Sequence, residues 1–395
     1  MKRILLSVMF IFFSLTVFAS KIVEIEVTGI EKTLPQVVIN ISGLKIGEEL
    51  DIERVYRAKR NLEECGLFTD VYLQLGDVGG DYKLVISVQE SSSFYPYFGE
   101  YLTLGAGDRN LLGSGVNVYG GIRFLRFTDK KLLGFLPQPE FFWGGLRFGA
   151  STFSAFGTEI NPFIEVTLFK EVPWQDDIML SLNSVELGGT HPFGEYVAGI
   201  SYTYENASFE ATPANDYSVS ILTGAFSFGD EDNYQESRGN LYGKTSLSYG
   251  FGDGINYLQQ KASVNYWYRI IGRIYIESET RGGVTYFGEA PVTRRFYLGG
   301  STDLKGWNPY AFNPRFYALE ILQAGVPLTE SFAIAPSDNM STFIPKLYLM
   351  AAAGDNATLG LSIGIGFEWR TPLGVGVEPQ VFFGGNGFKF YFELR

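Results

Sequence analysis

The chain contains 395 residues, of which 46% are hydrophobic, and carries a net charge of −12 at pH 7 with one cysteine and one histidine. This acidic balance excludes the basic surface of a nucleic-acid-binding protein, and one cysteine with one histidine excludes an intramolecular disulfide and a Cys/His metal site. The 34 phenylalanines, 24 tyrosines and 47 glycines exceed the needs of one soluble core and are typical of a membrane barrel with aromatic girdles.

Residues 1–19 have the features of a cleaved secretory signal. Lys2 and Arg3 precede an apolar run over residues 4–13, and Ala19 lies where signal peptidase requires a small residue. The apolar run is shorter than the roughly 20 residues that a spanning helix needs. The sequence therefore favours export over a membrane anchor.

Residues 20–92 mix the periods of strands and helices and predict a small β-α-α-β-β domain. IVEIEV alternates as a strand, and FTDVYLQL and YKLVISV form a strand pair joined through Gly76 to Gly80. Asp51 is placed to cap a helix that ends at Gly66, because apolar residues between them recur at spacings of three and four. These residues are Ile52, Val55, Ala58, Leu62 and Cys65, of which the cysteine is expected to be a small buried hydrophobe.

The same region resembles a POTRA domain, the periplasmic module of outer-membrane insertases and secretion pores. The resemblance covers the whole domain and rests on the segments IVEIEVTGIE, LKIGEELD, LEECGLFTDVYLQL and LVISVQE. It implies a periplasmic location and the capture of unfolded partners by strand addition, which uses main-chain hydrogen bonds whatever the partner's sequence. An unrelated α+β domain with the same pattern is the alternative.

Residues 93–395 alternate with a period of two between apolar residues and small or polar ones. Leucine, isoleucine, phenylalanine and tryptophan occupy the odd positions of 359–369, and the even positions hold glycine, serine and glutamate. Residues 159–168 and 261–269 repeat the pattern. A soluble sandwich alternates in the same way, but the signal and the aromatic strand ends favour a barrel with an apolar side toward lipid and a polar side toward a lumen.

The length of this region sets the size of the barrel. A transmembrane strand of about 10 residues with a connection of similar length gives roughly 15 strands, and bacterial single-chain barrels use even numbers. We therefore predict a mainly β protein, with an antiparallel transmembrane barrel of about 16 strands behind the small domain. A barrel of that width encloses water, so something must occupy or gate its lumen.

Two motifs in this region resemble the superfamily of BamA, TamA and FhaC, also called bacterial surface antigen proteins. GDRNLLGSG at 107–115 is similar to the Asn-Leu-x-Gly-x-Gly first hairpin of that family. FYLGGSTDLKGW at 296–307 is similar to the sixth external loop, which folds into the barrel. The residues that carry the two matches are Asn110, Leu111, Leu112, Gly113 and Gly115 in the first motif, and Phe296, Gly299, Gly300, Gly306 and Trp307 in the second.

Lys305 departs from the family pattern, in which an arginine precedes the Gly-aromatic pair and binds acidic residues on the barrel wall. Ala352 falls where the family has one of those acids. Because arginine offers a bidentate fork and lysine a point charge, the exchange is not conservative. Glu368 lies on the predicted lumen face, so we expect Lys305 to dock near Glu368, with a solvated Lys305 as the alternative.

The C-terminal segment GFKFYFELR resembles the closing aromatic strand of the family. Phe388, Phe390 and Phe392 share one face, although the chain ends on arginine where the family has a terminal phenylalanine. A first strand near Tyr95 to Gly107, which contains Tyr101, is expected to pair with this last strand and remove both edges. A weakly paired seam there would be a lateral gate.

Candidate catalytic groups are scarce. The single histidine, His191, lies in a segment rich in glycine and proline that predicts a turn, a poor scaffold for a general base. Glu277, Glu279 and Arg281 predict an inward charged network, and no nucleotide fingerprint is present. We therefore predict a protein that is not an enzyme and needs neither cofactor nor metal.

The predicted function is outer-membrane protein assembly, with the N-terminal domain in the periplasm. The expected partners are unfolded outer-membrane or secreted client polypeptides, outer-membrane lipid, and a periplasmic chaperone or accessory protein. A two-partner-type secretion pore and a passive channel are the alternatives. A secretion pore of that type usually carries two POTRA domains and a plug helix, which do not fit before residue 95.

Overall fold

The computed structural model describes most of the chain beyond residue 20. The described residues are 21–49, 51–99, 103–132, 136–153, 160–173, 179–193, 196–210, 216–229, 239–271, 273–300, 303–308, 311–328, 342–355, 359–370 and 376–394. They form two compact units, one ending at Phe163 and one beginning at Ile164, with Phe141–Gly145 belonging to the second.

The N-terminal elements form a three-stranded sheet with two helices. They are β1 (Ile22–Thr28), α1 (Pro35–Ser42), α2 (Ile52–Glu64), β2 (Phe68–Val78) and β3 (Asp81–Glu90). The strand order is β1-β3-β2, with β1 parallel to β3 and β2 antiparallel to it. The predicted β-α-α-β-β order is confirmed, although the β2–β3 turn is shorter than expected because β2 continues through Gly76 and the left-handed pair Gly79–Gly80 makes the reversal.

The core of this sheet lies between its inner face and the two helices. Leu62, Leu84 and Ile86 are fully buried there, and the predicted helical stripe supplies Ala58 and Cys65. Burial raises the pKa of the Cys65 thiol to about 11, so the cysteine stays protonated at neutral pH. Gly66 closes the helix region in the left-handed conformation, as a C-terminal glycine does.

The larger sheet contains sixteen strands, and each is hydrogen-bonded to its neighbours in the chain from β4 to β19. The ladders between its described strands are antiparallel. The strands are β4 (Phe94–Gly99), β5 (Thr103–Asp108), β6 (Val116–Leu132), β7 (Leu136–Thr152), β8 (Asn161–Pro173), β9 (Met179–Phe193), β10 (Tyr196–Phe209), β11 (Tyr217–Phe228), β12 (Gly239–Gly252), β13 (Ile255–Ile271), β14 (Ile274–Phe287), β15 (Phe316–Gly325), β16 (Thr342–Gly354), β17 (Leu359–Arg370), β18 (Gly376–Gly384) and β19 (Gly387–Leu394).

The predicted alternation is confirmed along these strands. In β17 the residues from Leu359 to Trp369 on the odd positions are exposed, while Ser362 and Glu368 on the other face are buried. In β13 the even-numbered residues Val264 and Tyr266 are exposed, and Trp267 on the opposite face is buried. A sheet with one exposed apolar face and one buried polar face is the pattern of a membrane barrel wall.

Two expectations change in detail. The predicted first strand from Tyr95 to Gly107 is two short strands, β4 and β5, so the 107–115 motif lies in the turn after the second strand and not in the first hairpin. His191 lies inside β9 opposite Ala198 and not in a turn, because the sheet ladder overrides the local glycine and proline signal. Within the described residues, no helix has the length and apolarity to cross a membrane.

Truncating Leu62 to alanine is expected to loosen the N-terminal domain, because this side chain is fully buried between helix and sheet. A cavity there costs about 2–5 kcal/mol, which corresponds to a rise of roughly 30-fold or more in the open population. Limited proteolysis of the full-length protein, with cleavage sites mapped by mass spectrometry, measures the effect. Tyr56→Ala on the exposed side of the same helix is the matched control and should leave the cleavage rate unchanged.

Candidate functional site

The loop between β14 and β15, residues 288–315, carries the predicted sixth-loop motif. It folds back on itself through paired hydrogen bonds between Leu298 and Phe312, of 3.0 and 3.2 Å. Gly299 and Gly300 adopt left-handed conformations, and a side chain on Gly299 would lie 2.3 Å from the Asn308 carbonyl oxygen. The Gly-Gly pair is therefore required by the close approach of the two arms of the loop.

Lys305 is buried on this loop and its ammonium group binds the last two strands. It donates to Gln380 Oε1 on β18 and forms an ion pair with Glu393 on β19. The aromatic ring of Phe382 lies 5.3 Å from the ammonium nitrogen, within the range of a cation–π contact. A solvated Lys305 is excluded by its 5% exposure.

Glu368 is the expected partner of Lys305, and the structure gives Lys305 an ion pair with Glu393. Glu368 is engaged by a wall lysine, Lys346, at 2.6 Å. Lys346 also lies 3.2 Å from Glu378, whose other oxygen accepts a hydrogen bond from the Tyr348 hydroxyl. Glu368 therefore belongs to the same cluster of charged wall residues, and its charge is neutralised by Lys346, which the sequence analysis did not consider.

Two lysines are needed at this site to neutralise two neighbouring carboxylates, those of Glu378 and Glu393. These residues are directly opposite in the β18–β19 ladder. Like charges at such positions destabilise a strand pair unless cations intervene. Lys346 on β16 forms an ion pair with Glu378, and Lys305 of the loop forms an ion pair with Glu393. The pairing of the last strand with its neighbour therefore depends on the positive charge of a loop residue.

Ala352 marks an apolar contact where the family pattern places an acid. Its side chain is buried in a cluster with Leu298 and Leu304 of the loop and with Leu319 of the wall. Leu304 reaches so close to β17 that a side chain at Gly360 would lie 2.3 Å from it. Apolar packing thus replaces one charged contact at this point of the loop.

The Gly-Trp pair after Lys305 binds the β18–β19 turn and β17. The Gly306 N–H donates to the Tyr391 hydroxyl at 3.0 Å, and the Trp307 indole N–H donates to the Leu361 carbonyl at 3.1 Å. A side chain at Gly385 would lie 2.2 Å from the Trp307 ring. Lys305, Gly306 and Trp307 therefore form one docked unit on strands β17 to β19.

A second anchor holds the start of the loop to β10 and β11. Glu205, which is 3% exposed, binds the Arg294 guanidinium and accepts hydrogen bonds from the Tyr217 and Thr293 hydroxyls. Two residues of the predicted charged row on β14, Glu279 and Arg281, contribute to a third anchor. Arg281 bridges Glu279 on its own strand and Asp303 in the loop, the latter at 3.0 Å.

Sequence reasoning missed Glu205, Arg294, Lys346, Glu378, Gln380 and Glu393. Strand alternation would have placed Glu205, Lys346, Glu378 and Gln380 on the buried face, since each lies two residues from a buried neighbour on its strand. The pairing among them depends on the register of strands far apart in the chain. That register is not encoded in any local pattern.

The remaining predicted site residues lie elsewhere. Asn110, Leu111, Leu112, Gly113 and Gly115 form the β5–β6 turn in the first compact unit. Phe388 and Phe390 are 77% and 69% exposed on one face of β19, and the backbone of Phe392 pairs with Pro379. Tyr101 lies outside the described residues, so the seam between the first and last strands stays a prediction.

The charged clusters are better suited to holding the loop in position than to catalysis or metal binding. Among the described residues, no group of three or more histidine, cysteine, aspartate or glutamate side chains has the arrangement to hold a metal ion. The carboxylates of the loop clusters are each bound to a cation or to hydroxyl and amide donors. The arrangement therefore holds a loop in place.

Comparison with solved structures decides the fold. The chain aligns over 95% of its length with BamA from Haemophilus ducreyi lacking POTRA domains 1–3, at a TM-score of 0.62 and 11% identity, covering 85% of that chain. The fold is that of the BamA and CdiB barrels. CdiB from Escherichia coli and from Acinetobacter baumannii align over 95% of this chain at TM-scores of 0.66 and 0.68, with 11% and 12% identity, covering 76% and 74% of those chains.

The superfamily resemblance drawn from the motifs is thereby confirmed at the level of the fold. No family model matches the sequence, and no curated protein matches it. The similarity therefore lies in the fold, at 11–12% sequence identity.

Exchanging the charges of Lys305 and Glu393 tests the docking of the loop. Lys305→Glu alone is expected to lower the temperature at which the barrel unfolds on semi-native gels, because it places a carboxylate beside Glu393 and Glu378. Adding Glu393→Lys should restore part of that loss, with a coupling of about 0.5–3 kcal/mol. The matched control adds Glu368→Lys instead, and rescue by that control rather than by Glu393→Lys would contradict the assignment.

Proposed function

We propose that this protein is an outer-membrane assembly factor that captures unfolded clients with its N-terminal domain and inserts them through a lateral seam of its barrel. The observation that carries the proposal is the docking of the 288–315 loop on β18 and β19, the strands beside the expected seam. The BamA-type fold supports it. We assign residues 1–19 to a signal, 20–92 to a periplasmic POTRA-like domain and 93–395 to an outer-membrane barrel.

Client capture is assigned to the β2 edge of the small sheet. The other outer strand, β1, is partly covered, because the Ile22 N–H donates to the Glu48 carbonyl and the Gly47 N–H donates to the Ile22 carbonyl. Along β2 most side chains beyond Val71 are exposed, including Tyr72. An extended client adding to β2 gains main-chain hydrogen bonds regardless of its sequence.

Insertion is assigned to the outer face and edge of β19. The exposed Phe388 and Phe390 present an apolar surface there, suited to lipid and to a client strand. No nucleotide is needed in this scheme, because an inserting strand gains backbone hydrogen bonds and lipid burial as it leaves water. A periplasmic chaperone or accessory protein would deliver the client.

A cavity with charged residues in its wall favours a second candidate, a polypeptide secretion pore. A space of about 530 Å³ along β9 to β15 is lined by Lys244, Lys261, Glu279 and Arg281 together with apolar residues such as Val197 and Phe226. A space of that size with charged groups in its wall suits passage of an extended chain through the lumen. A passive channel is the third candidate.

Depletion of the protein followed by a census of outer-membrane proteins separates the candidates. An assembly factor predicts broad loss of barrel proteins, a secretion pore predicts loss of one exported protein, and a channel predicts neither. The same strains can carry a photo-crosslinking residue at Tyr72 or Phe390, which should trap client. Tyr56, equally exposed on α2, is the control and should trap none. Broad loss with no crosslink at either position would contradict the proposed route.

A further inference from the structure

The turn between β5 and β6 binds the N-terminal domain through Asn110. This side chain is 8% exposed, and both ends of its amide are engaged. The amide nitrogen donates to the Thr33 hydroxyl at 2.8 Å, and the amide oxygen accepts the Gly115 N–H at 2.8 Å. One residue therefore shapes the turn and ties it to a segment 77 positions earlier in the chain.

The glycines of the turn are explained by the same contact. The Gly113 carbonyl accepts the Leu34 N–H at 2.9 Å. A side chain on Gly113 would lie 2.1 Å from the Lys32 carbonyl oxygen, and one on Gly115 would lie 2.6 Å from Val37. The backbone of the turn thus lies directly against residues 32–37, which leave no space for a side chain at position 113 or 115.

Leu112 adopts an unfavourable backbone conformation in this turn, and its side chain packs against little else. It adopts a φ of 53°, in the region that side chains other than glycine avoid, and its side chain is 91% exposed. Strain of this kind persists where surrounding contacts determine the backbone. The contacts that determine it here are those of Asn110 and Gly113 with the N-terminal domain.

Thr33 is in turn held by Glu90, the last residue of β3. The Glu90 carboxylate accepts the N–H groups of Thr33 at 2.7 Å and of Lys32 at 3.1 Å. Partial burial opposes ionisation of this group, but the hydrogen bonds from Thr33 and Lys32 outweigh it and lower the Glu90 pKa. The carboxylate is therefore ionised at neutral pH, and a continuous hydrogen-bonded chain runs from Glu90 through Thr33 and Asn110 to Gly115.

This chain is a second connection beside the covalent one. The linker of residues 91–93 joins β3 to β4 and is itself held, since the Ser91 N–H donates to the Leu67 carbonyl and the Arg109 N–H donates to the Ser93 carbonyl. A short linker alone would act as a hinge. Two connections a short distance apart remove most of that freedom.

We infer that the 108–115 turn is a clamp that fixes the orientation of the N-terminal domain on the β5–β6 hairpin, with Asn110 and Thr33 as its positioning residues. The clamp would hold the β2 edge at a constant distance from the first strands of the barrel, so that captured client is handed to one place. This part of the inference rests on the proposed assembly function.

Distances between spin labels in the full-length protein in lipid nanodiscs test the clamp. Labels are placed at Tyr56→Cys on α2 and Ile122→Cys on β6, which are both exposed. The native Cys65 is buried with its pKa raised to about 11 and stays unlabelled. The parent should give one narrow distance distribution. Thr33→Val, which removes the hydroxyl while retaining the turn's own Asn110–Gly115 bond, should broaden it, and Asn110→Ala should broaden it further.

The matched control is Thr28→Val, which removes a similar hydroxyl bond, to Ser87 at 2.9 Å, inside the small sheet. It should leave the distribution narrow. We expect roughly a 2- to 10-fold rise in the undocked population for each lost clamp bond. A broad distribution in the parent, or narrow ones in both Thr33→Val and Asn110→Ala, would overturn the clamp.

The role in client transfer has its own readout. Client trapped at Tyr72 should be unchanged in Thr33→Val while client trapped at Phe390 falls, since capture survives and delivery does not. Equal crosslinking at both positions in a variant with a broadened distribution would overturn the positioning role. Absence of any client crosslink in the parent would instead count against the proposed function, and the spin-label distances would still decide the clamp.

Discussion

The hydrogen bonding of the backbone is the constraint on which the rest of this molecule depends. In lipid no water can satisfy an unpaired N–H or C=O group, so a spanning sheet must pair each strand with its neighbours. The sixteen strands do so in chain order. Once the ladder is set, a period of two decides which side chains face outward and which face inward. The face toward lipid must then carry apolar residues, so charged side chains have to lie on the opposite face of the sheet.

Charges placed inside must neutralise one another, and this requirement shapes the 288–315 loop. Three ionic contacts anchor it, to β10, β14 and β19, and the apolar side chains of Leu298 and Leu304 fill the space between loop and wall. A lysine suits the β19 contact because its single ammonium group serves an amide and a carboxylate and lies against an aromatic ring. The planar guanidinium of an arginine is matched to a bidentate acceptor such as a carboxylate. Ala352 offers no such acceptor on the wall, and the loop is held there by apolar packing.

The sequence was sufficient for features that repeat locally and insufficient for features set by register. The alternation of 359–369 and the approximate strand number follow from period and length, and the structure confirms them. The predicted helical stripe is buried at Ala58, Leu62 and Cys65, whereas Ile52 at its start is 71% exposed. The partner of Lys305 does not, because Glu393 meets it across 88 residues only when β17, β18 and β19 take one particular register. The hydrogen bond of Asn110 with Thr33 could not be predicted for the same reason. The sequence shows the motif that contains Asn110, but Thr33 lies 77 residues earlier in another part of the fold.

The last strand combines two roles, since alternate residues serve its two faces. Phe388 and Phe390 face outward, while Lys389, Tyr391 and Glu393 bind the loop or its neighbours from the inner face. Any outward displacement of β19 must therefore break the Lys305–Glu393 ion pair and the bond from Gly306 to Tyr391, which leaves Glu393 facing Glu378 without its cation. Opening of the edge and undocking of the loop are thus coupled through the same few side chains. The loop resists opening by the free energy of those contacts. In the proposed assembly function, a client strand that adds to β19 would have to supply at least that much free energy in new backbone hydrogen bonds.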